Sequence, residues 1–397
     1  MKTIALFCDG TWNSPDMTRA THVHRLFEAC GSVDTPEQVV EYFHGVGVPD
    51  PDETWGGYLS RTAKRLGGGA FGWGLNQNIK EAYATLCARY APGDKVMIFG
   101  FSRGAYTARS LAGLIRKGGI LAEPTPENVE AVFRLYRRRG GENKPDCEEI
   151  WQERRRFSPL VATSEDDLAA RRREDPRDRS EIVNIAYMGI WDTVGALGIP
   201  GVLGKAATVW NQRYRFHDTD LSSLVRSARH AVAIDERRRF YEPALWTNLD
   251  RYKDGPGLNN GRTGPDRPYQ QAWFVGTHSI LGGSAENSAA LSAAPLQWIW
   301  EGAEREGLRV RRDVRIPDVD PDPLFDTEDI DKVFIGYRAT PGLLAWRTGL
   351  EREALHPSVL KRIREFRGGR YRPGSLAKWL PELSNGGNDA VSPPAHP

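Results

Sequence analysis

The sequence Gly-Phe-Ser-Arg-Gly at residues 100–104 constrains the fold more than any other feature of this chain. The residues just before it, 95–99, are mostly apolar and favour β-structure, and apolar residues at helical spacing follow it. This arrangement predicts a strand, a sharp turn and a helix. The two glycines leave room for the backbone in so tight a turn, and the hydroxyl of Ser102 is then expected to project above the edge of a sheet.

A serine in such a turn is typical of the nucleophile elbow of the α/β-hydrolase fold. The helix that starts just after Ser102 points its backbone N–H groups toward the place where an oxyanion would form, and the N–H of Arg103 is a candidate donor. The alternative is that Ser102 only caps the helix. The motif therefore predicts an α/β-hydrolase-like, doubly wound and mostly parallel sheet, and it supplies a candidate nucleophile.

Further segments of the chain have the patterns that such a sheet needs. Apolar runs of strand length lie at residues 2–8, 38–43, 182–190 and 271–275. Helical spacing is found at residues 21–30, 78–90, 221–233 and 291–303. Because strands and helices mostly alternate, we expect a parallel sheet with helices packed against it.

The composition excludes several classes of protein. With 397 residues, 40% of them hydrophobic, and 41 glycines, the chain fits one large globular α/β domain with insertions. A net charge of +2 argues against a nucleic-acid partner. The four cysteines are far apart, so we expect reduced thiols and neither a metal site nor a cofactor. Because no signal peptide or membrane span is recognisable, a cytoplasmic protein is expected, with export by a dedicated secretion system left open.

The expected catalytic domain covers residues 1–316 and carries two insertions. Residues 124–180 hold three arginine triplets interleaved with acids, which indicates either exposed helices or a patch for anionic lipid headgroups. Residues 196–216 begin with an apolar, glycine-rich stretch, which predicts either a lid or buried packing. Residues 324–380 are expected to form a smaller appended region, and residues 384–397 a disordered tail.

Two more polar residues follow predicted strands and complete a candidate catalytic set. The order Ser102, Asp192, His278 is the chain order of an α/β-hydrolase triad. In those roles the serine attacks an ester carbonyl, the histidine accepts its proton, and the aspartate orients the imidazole. Asp235 is an alternative acid, because it also ends a predicted element; its other possible role is a charge pairing with residues 237–239.

The loop after the first strand is expected to lie at the same edge of the sheet. It contains Asp9, Gly10 and Thr11. The N–H of Gly10 is a candidate second oxyanion donor beside that of Arg103. The alternatives are a turn capped by Asp9, or a metal-binding carboxylate, although no second acid lies nearby in a ligand-like spacing.

Five short motifs form a specific combination over the first three-quarters of the chain. They are Phe-Cys-Asp-Gly-Thr-Trp-Asn at 7–13, Gly-Phe-Ser-Arg-Gly-Ala at 100–105, Trp-Asp-Thr-Val-Gly at 191–195, Ala-Ile-Asp-Glu-Arg-Arg at 233–238 and Val-Gly-Thr-His-Ser-Ile-Leu-Gly-Gly at 275–283. This combination resembles the α/β-hydrolase family called domain of unknown function 2235, which includes the catalytic domain of type VI secretion phospholipase effectors. The resemblance implies that Ser102, Asp192 and His278 form the triad and that residues 9–11 help to line the site. Where that family usually has an acid two residues after the histidine, this chain has Ile280, so no role of that acid is carried over.

The candidate residues predict a serine hydrolase that cleaves carboxylic esters, and the resemblance implies a lipid or phospholipid acyl ester. Two alternatives stay open: a short-chain carboxylesterase, and an α/β-hydrolase fold without catalysis that serves as a binding module. The expected partners are an ester substrate and, peripherally, a membrane surface. Acyl length, headgroup, regiospecificity and oligomeric state do not follow from the sequence.

Overall fold

A sheet of six parallel strands forms the centre of the protein, whose computed structural model describes residues 1–10, 20–31, 36–45, 70–194, 220–252, 255–311, 313–330 and 344–384. The strands are β1 (Thr3–Cys8), β2 (Gln38–Phe43), β3 (Lys95–Phe101), β4 (Asn184–Trp191), β5 (Ala228–Ala233) and β6 (Tyr269–Phe274). They lie in the order β6-β5-β4-β3-β1-β2, and every neighbouring pair is parallel. The order reverses between β1 and β3, and ligands of such sheets bind beyond the carboxyl ends of the strands at this switch point.

Helices cover both faces of the sheet. They are α1 (His22–Gly31), α2 (Ala70–Arg89), α3 (Arg103–Gly118), α4 (Pro126–Arg137), α5 (Glu148–Phe157), α6 (Glu165–Glu174), α7 (His278–Leu281), α8 (Ala289–Arg305), α9 (Pro357–Glu365) and α10 (Leu380–Ser384). Helices α2 and α3 bury apolar side chains on one face, and α1 and α8 do so on the other. The predicted doubly wound, parallel α/β fold is therefore confirmed.

Smaller elements connect these layers. There are two pairs of two-residue strands. Val161–Ala162 pairs with Glu181–Ile182, and Arg251–Tyr252 pairs with Gly255–Pro256. Single 3₁₀ turns lie at Gly141–Asn143, Arg239–Tyr241, Glu328–Ile330, Arg352–Ala354, Phe366–Gly368 and Gly374–Leu376. Among the described residues, no helix is both long enough and apolar enough to cross a membrane.

The prediction of a helix over residues 221–233 is wrong, because this stretch contains strand β5. Strand β5 lies between β4 and β6, and all six of its residues are buried. A strand covered on both faces lacks the alternation of apolar and polar residues, so periodicity does not distinguish it from a helix. Its polar side chains have partners instead: Arg229 donates to the carbonyl of Trp298, and Nδ1 of His230 lies 3.0 Å from Oε1 of Gln271.

The region 124–180 contains helices α4 to α6, while its status as an insertion stays a prediction. In two of its arginine triplets the first arginine is buried: Arg154 and Arg171 both pair with Asp167. Arg154 and Asp167 are fully buried, 2.7 Å apart. A buried charge needs such pairing, so these two arginines hold the insertion together. Arg155 also turns partly inward, because its side chain is 18% exposed and its Nε lies 3.7 Å from Oδ1 of Asp167.

The C-terminal residues pack on the sheet rather than extending from it. Leu355 and Val359 share a buried apolar cluster with Val232 of β5, Trp273 of β6 and Ile280 of α7. The expected appended region thus shares a core with the part of the sheet that follows β4, while its boundary as a domain remains a prediction. The expected lid at 196–216 and, apart from its first residue, the expected tail at 384–397 lie outside the described residues.

Candidate active site

Ser102 occupies a strained turn between β3 and α3. Its φ of 58° and ψ of −120° are unusual for a residue with a side chain, and such strain is concentrated at functional sites. A Cβ atom on Gly104 would lie 2.0 Å from the carbonyl oxygen of Cys8, and one on Gly100 would lie 2.5 Å from the carbonyl oxygen of Gly104. Both glycines are therefore required by close backbone contacts, as the sequence motif predicts.

His278 lies within hydrogen-bonding distance of both other residues of the predicted triad. Nε2 of His278 is 2.8 Å from Oγ of Ser102, and Nδ1 of His278 is 2.6 Å from Oδ2 of Asp192. All three side chains are buried. With its proton on Nδ1, the imidazole donates to Asp192 and accepts from Ser102, which is the arrangement that lets a serine hydroxyl lose its proton to a histidine.

Backbone and aromatic contacts fix the position of the imidazole. His278 is the first residue of α7, and its backbone N–H donates to Oε2 of Glu236 over 3.2 Å. The ring of Phe101 lies 4.7 Å from the imidazole ring, and that of Tyr241 lies 4.6 Å from it, measured between ring centroids. The imidazole is therefore held on several sides, so its two nitrogens keep their orientation.

The local environment keeps the histidine neutral and the aspartate charged. Burial lowers the pKa of His278, and the neighbouring Asp192 carboxylate only partly opposes this shift. Burial alone would raise the pKa of Asp192, but the charge of Arg347 and the hydrogen bonds from Arg347 and His278 outweigh it and hold that pKa well below its usual range. A neutral imidazole beside an ionised carboxylate is the state that can accept a proton.

Arg347 contacts the site but was not predicted from the sequence. Its two terminal nitrogens lie 2.5 Å from Oδ1 and 2.8 Å from Oδ2 of Asp192, and they also donate to the carbonyls of Ala233 and Tyr241. The arginine belongs to no recognisable motif and lies far along the chain from its partner. The sequence therefore holds no signal that would single it out from the other arginines.

Asp235, the alternative acid, has other partners. Its carboxylate accepts hydrogen bonds from the hydroxyl of Tyr371, at 2.8 and 3.0 Å, and from the backbone N–H of Gly276, at 2.7 Å. The side chain that lies against Nδ1 of His278 is Asp192. The geometry thus favours Asp192 over Asp235 as the group that orients the imidazole.

Asp9 is the centre of a buried polar cluster at the end of β1. Its Oδ2 accepts hydrogen bonds from the hydroxyls of Thr21 and Tyr42, both over 2.6 Å, and its Oδ1 accepts one from the N–H of Gly10 over 2.6 Å. Burial raises the pKa of Asp9, and these hydrogen bonds partly oppose the shift. The cluster fixes the start of the loop beside the Ser102 turn, because the backbone carbonyl of Asp9 lies against Gly104.

The two predicted oxyanion donors, the N–H groups of Arg103 and Gly10, differ in their surroundings, and their role stays a prediction. The N–H of Arg103 lies in the first turn of α3, directly after Ser102. The N–H of Gly10 donates to the Asp9 carboxylate, so it would have to exchange that partner for a substrate oxygen. Thr11, also expected to line the site, lies outside the described residues. In the part of the chain that the structure describes, no group of three or more His, Cys, Asp or Glu side chains could hold a metal ion.

Comparison with known proteins assigns the chain to a family. Residues 2–302 match the family described as "T6SS, Phospholipase effector Tle1-like, catalytic domain". The chain belongs to this family. The resemblance inferred from the five motifs is thus confirmed, and Ser102, Asp192 and His278 all lie within the matching residues, whereas Arg347 lies beyond them.

Individual relatives are more distant. The uncharacterized protein YEL023C of Saccharomyces cerevisiae is 29% identical over 252 residues, which are 62% of this chain and 33% of the yeast protein. A crystal structure of an uncharacterized protein from Pseudomonas aeruginosa aligns with a TM-score of 0.38 and 18% identity, over 78% of this chain and 46% of that one. A structure of the Tle1 effector bound to the VgrG spike of the type 6 secretion system aligns with a TM-score of 0.37 and 14% identity, over 72% and 52%. The chain therefore spans about a third of the yeast relative and about half of each of these structures.

Proposed function

We propose that this protein is a serine hydrolase that cleaves the acyl esters of lipids, with phospholipids as the favoured class. The observation that carries the proposal is the buried chain of hydrogen bonds from Ser102 through His278 to Asp192. This chain of contacts begins at a strained serine at the switch point of the sheet, where ligands of such folds bind. Membership of the phospholipase effector family supports the lipid substrate.

The proposed reaction has two stages. Oγ of Ser102 attacks the ester carbonyl carbon while Nε2 of His278 takes the hydroxyl proton, and the protonated imidazole then gives that proton to the leaving alcohol. A water molecule next attacks the acyl-enzyme carbonyl and loses a proton to His278, which returns it to Ser102 as the fatty acid leaves. Asp192 stabilises the imidazolium in both stages.

The negative oxygen of each tetrahedral intermediate needs donors. The backbone N–H of Arg103 is the proposed first donor, because it lies at the N-terminus of α3, where the helix dipole also favours negative charge. The proposed second donor is the N–H of Gly10, once a substrate oxygen replaces the carboxylate of Asp9. One such donor contributes about 10²- to 10³-fold to turnover in a comparable hydrolase site.

Fluorophosphonate labelling tests the nucleophile. A serine activated by a neighbouring base forms a covalent adduct, whereas an ordinary serine does not. We expect one adduct on the wild-type protein by intact mass, none on Ser102→Ala, and one on the control Ser110→Ala, which removes another buried serine from α3. An unlabelled wild-type protein, or a labelled Ser102→Ala variant that still cleaves esters, would make the assignment wrong.

A series of p-nitrophenyl esters and phospholipid vesicles tests the substrate class. Each buried CH₂ group is worth about 0.8 kcal/mol, or roughly fourfold in binding. A lipid hydrolase should therefore show kcat/KM rising with acyl length over several carbons and then levelling off, together with release of fatty acid from vesicles. A maximum at acetate would indicate a short-chain carboxylesterase instead, and labelling without turnover of any ester would favour a binding module.

A further inference from the structure

We propose that Arg347 is a positioning residue of the triad. Its guanidinium holds the Asp192 carboxylate against His278 and neutralises part of the carboxylate's negative charge. His278 therefore stays unprotonated, and able to act as a base, at more acidic pH. The inference rests on the proposed function, because it concerns the same three residues. Arg347 lies outside the residues that match the family, so membership of the family does not by itself supply it.

The first argument is geometric. Each oxygen of Asp192 has two donors: Oδ1 accepts from Arg347 and from the backbone N–H of Ala233 over 2.9 Å, and Oδ2 accepts from Arg347 and from His278. Because the planar guanidinium of Arg347 donates to both oxygens at once, it fixes the plane of the Asp192 carboxylate as well as its position. Asp192 itself has a φ of 39°, a backbone conformation that a residue with a side chain adopts only when its surroundings hold it.

The second argument is that the guanidinium is itself fixed. Its four hydrogen bonds reach the acid, the end of β5 at Ala233 and the turn at Tyr241. The segment that carries it is attached beside the site, because the N–H of Ala345 donates to the carbonyl of Arg237 over 2.8 Å and the Arg237 guanidinium lies over the Trp346 ring. Arg347 therefore acts as a rigid support and not as a mobile surface charge.

The third argument concerns charge. In a triad without a cation at this position, the full negative charge of the aspartate stabilises the imidazolium. Here Asp192 and Arg347 form a pair with no net charge, so protonated His278 gains less from the aspartate. A buried ion pair is also weak evidence for stability, because removing both ions from water costs as much as their attraction returns. Stability alone is therefore a weak reason for this buried pair, and the contact of Arg347 with the triad acid favours a role in the reaction instead.

Other charged or titratable groups lie close to the triad. They are Glu236, Arg238, Tyr241 and His230, with Arg109 beyond His230. Glu236 and Arg238 pair with each other over 2.7 Å. Burial lowers the pKa of His230 to about 3, so it carries no charge at neutral pH. Among the residues that the structure describes, Arg347 is the arginine that pairs directly with the triad carboxylate.

Three variants separate the two parts of the proposal. Arg347→Gln keeps an N–H donor and removes the charge, whereas Arg347→Lys keeps the charge and removes the fork. The control is Arg362→Gln, which removes a buried arginine of the same C-terminal region that donates to the carbonyls of Pro323 and Phe325. For each variant, kcat and kcat/KM are measured against pH, the titration of His278 is followed by NMR of ¹⁵N-histidine, and the melting temperature is recorded.

We expect Arg347→Gln to raise the pKa of His278, and with it the acid limb of the kcat/KM profile, by about one unit, because removing a nearby positive charge favours the protonated imidazole. Arg347→Lys should leave the limb in place and lower kcat by about tenfold, since the orientation of Asp192 is lost. Arg362→Gln should lower only the melting temperature.

The proposal would be overturned if all three variants lost activity in parallel with melting temperature and the acid limb of the kcat/KM profile did not move. Arg347 would then have only a structural role. A limb that moves to lower pH in Arg347→Gln would overturn the proposal too. The NMR titration needs no turnover, so it also separates the two hypotheses. If the wild-type protein cleaves no ester but its His278 pKa still rises in Arg347→Gln, the proposed function fails and the pairing stands.

Discussion

Asp192 and Asp235 are two buried acids at the ends of neighbouring strands, and they differ in what faces them. Asp192 follows β4 and contacts His278 and Arg347, whereas Asp235 follows β5 and contacts Tyr371 and a backbone N–H. The C-terminal region supplies a hydrogen-bond donor to each acid: the charged guanidinium of Arg347 to Asp192, and the neutral hydroxyl of Tyr371 to Asp235. Burial at the sheet edge therefore does not separate the two candidate acids, whereas contact with His278 does, and for this reason we propose Asp192 as the catalytic acid.

The largest expected effect is the difference between Asp192→Asn and Asp235→Asn. Removing the carboxylate that selects the histidine tautomer lowers kcat by about 10⁴-fold in a well-studied serine protease triad. We expect a loss of this order for Asp192→Asn and a change within a few-fold for Asp235→Asn, measured as kcat on one ester. The melting temperature of each variant is recorded as the control, and kcat is measured well below the lowest of them. The reverse ranking at equal stability would transfer the role to Asp235.

The sequence predicted those elements whose structure depends on residues close together in the chain. The strand, the turn and the helix around Ser102 follow from residues 95–118, because the glycine positions and both periodicities lie in one short stretch. The order of Ser102, Asp192 and His278 predicted their meeting, since each follows a strand and parallel strands bring their carboxyl ends to one edge.

What could not be predicted depends on packing between distant segments. Arg347 and Tyr371 reach the two acids from more than 130 residues away in the chain, and no spacing rule connects such positions. The pattern of residues 221–233 predicts a helix where strand β5 lies, because burial on both faces removes the alternation of apolar and polar residues. The sequence also does not show that the N–H of Gly10 already donates to the Asp9 carboxylate, because this hydrogen bond depends on where the Asp9 side chain lies.

A second, smaller effect concerns pH and sharpens the difference between the two acids. Burial lowers the pKa of His278 from its ordinary value of 6.5, and in the proposed reaction the neutral imidazole is the base. The acid limb of the wild-type kcat/KM profile should therefore lie below pH 6.5, with activity lost as pH falls through the lowered pKa. Asp235→Asn should leave the limb unchanged, since its carboxylate does not contact the imidazole nitrogens. A wild-type limb above pH 6.5 would contradict this account of the site.

The smallest effect on catalysis is expected at Tyr371. Burial, together with the neighbouring Asp235, raises the pKa of Tyr371 well above its ordinary value, so the hydroxyl is a neutral donor to that carboxylate. Tyr371→Phe leaves a buried carboxylate short of a donor, which should lower the free energy of unfolding by about 1–3 kcal/mol in urea titrations. Because Asp235 takes no part in the proposed reaction, kcat should change less than twofold. Tyr252→Phe, at an exposed tyrosine, is the control and should alter neither quantity. If Tyr371→Phe instead lowered kcat many-fold at unchanged stability, Asp235 would have to be counted among the catalytic groups, and the distinction between the two acids would fail.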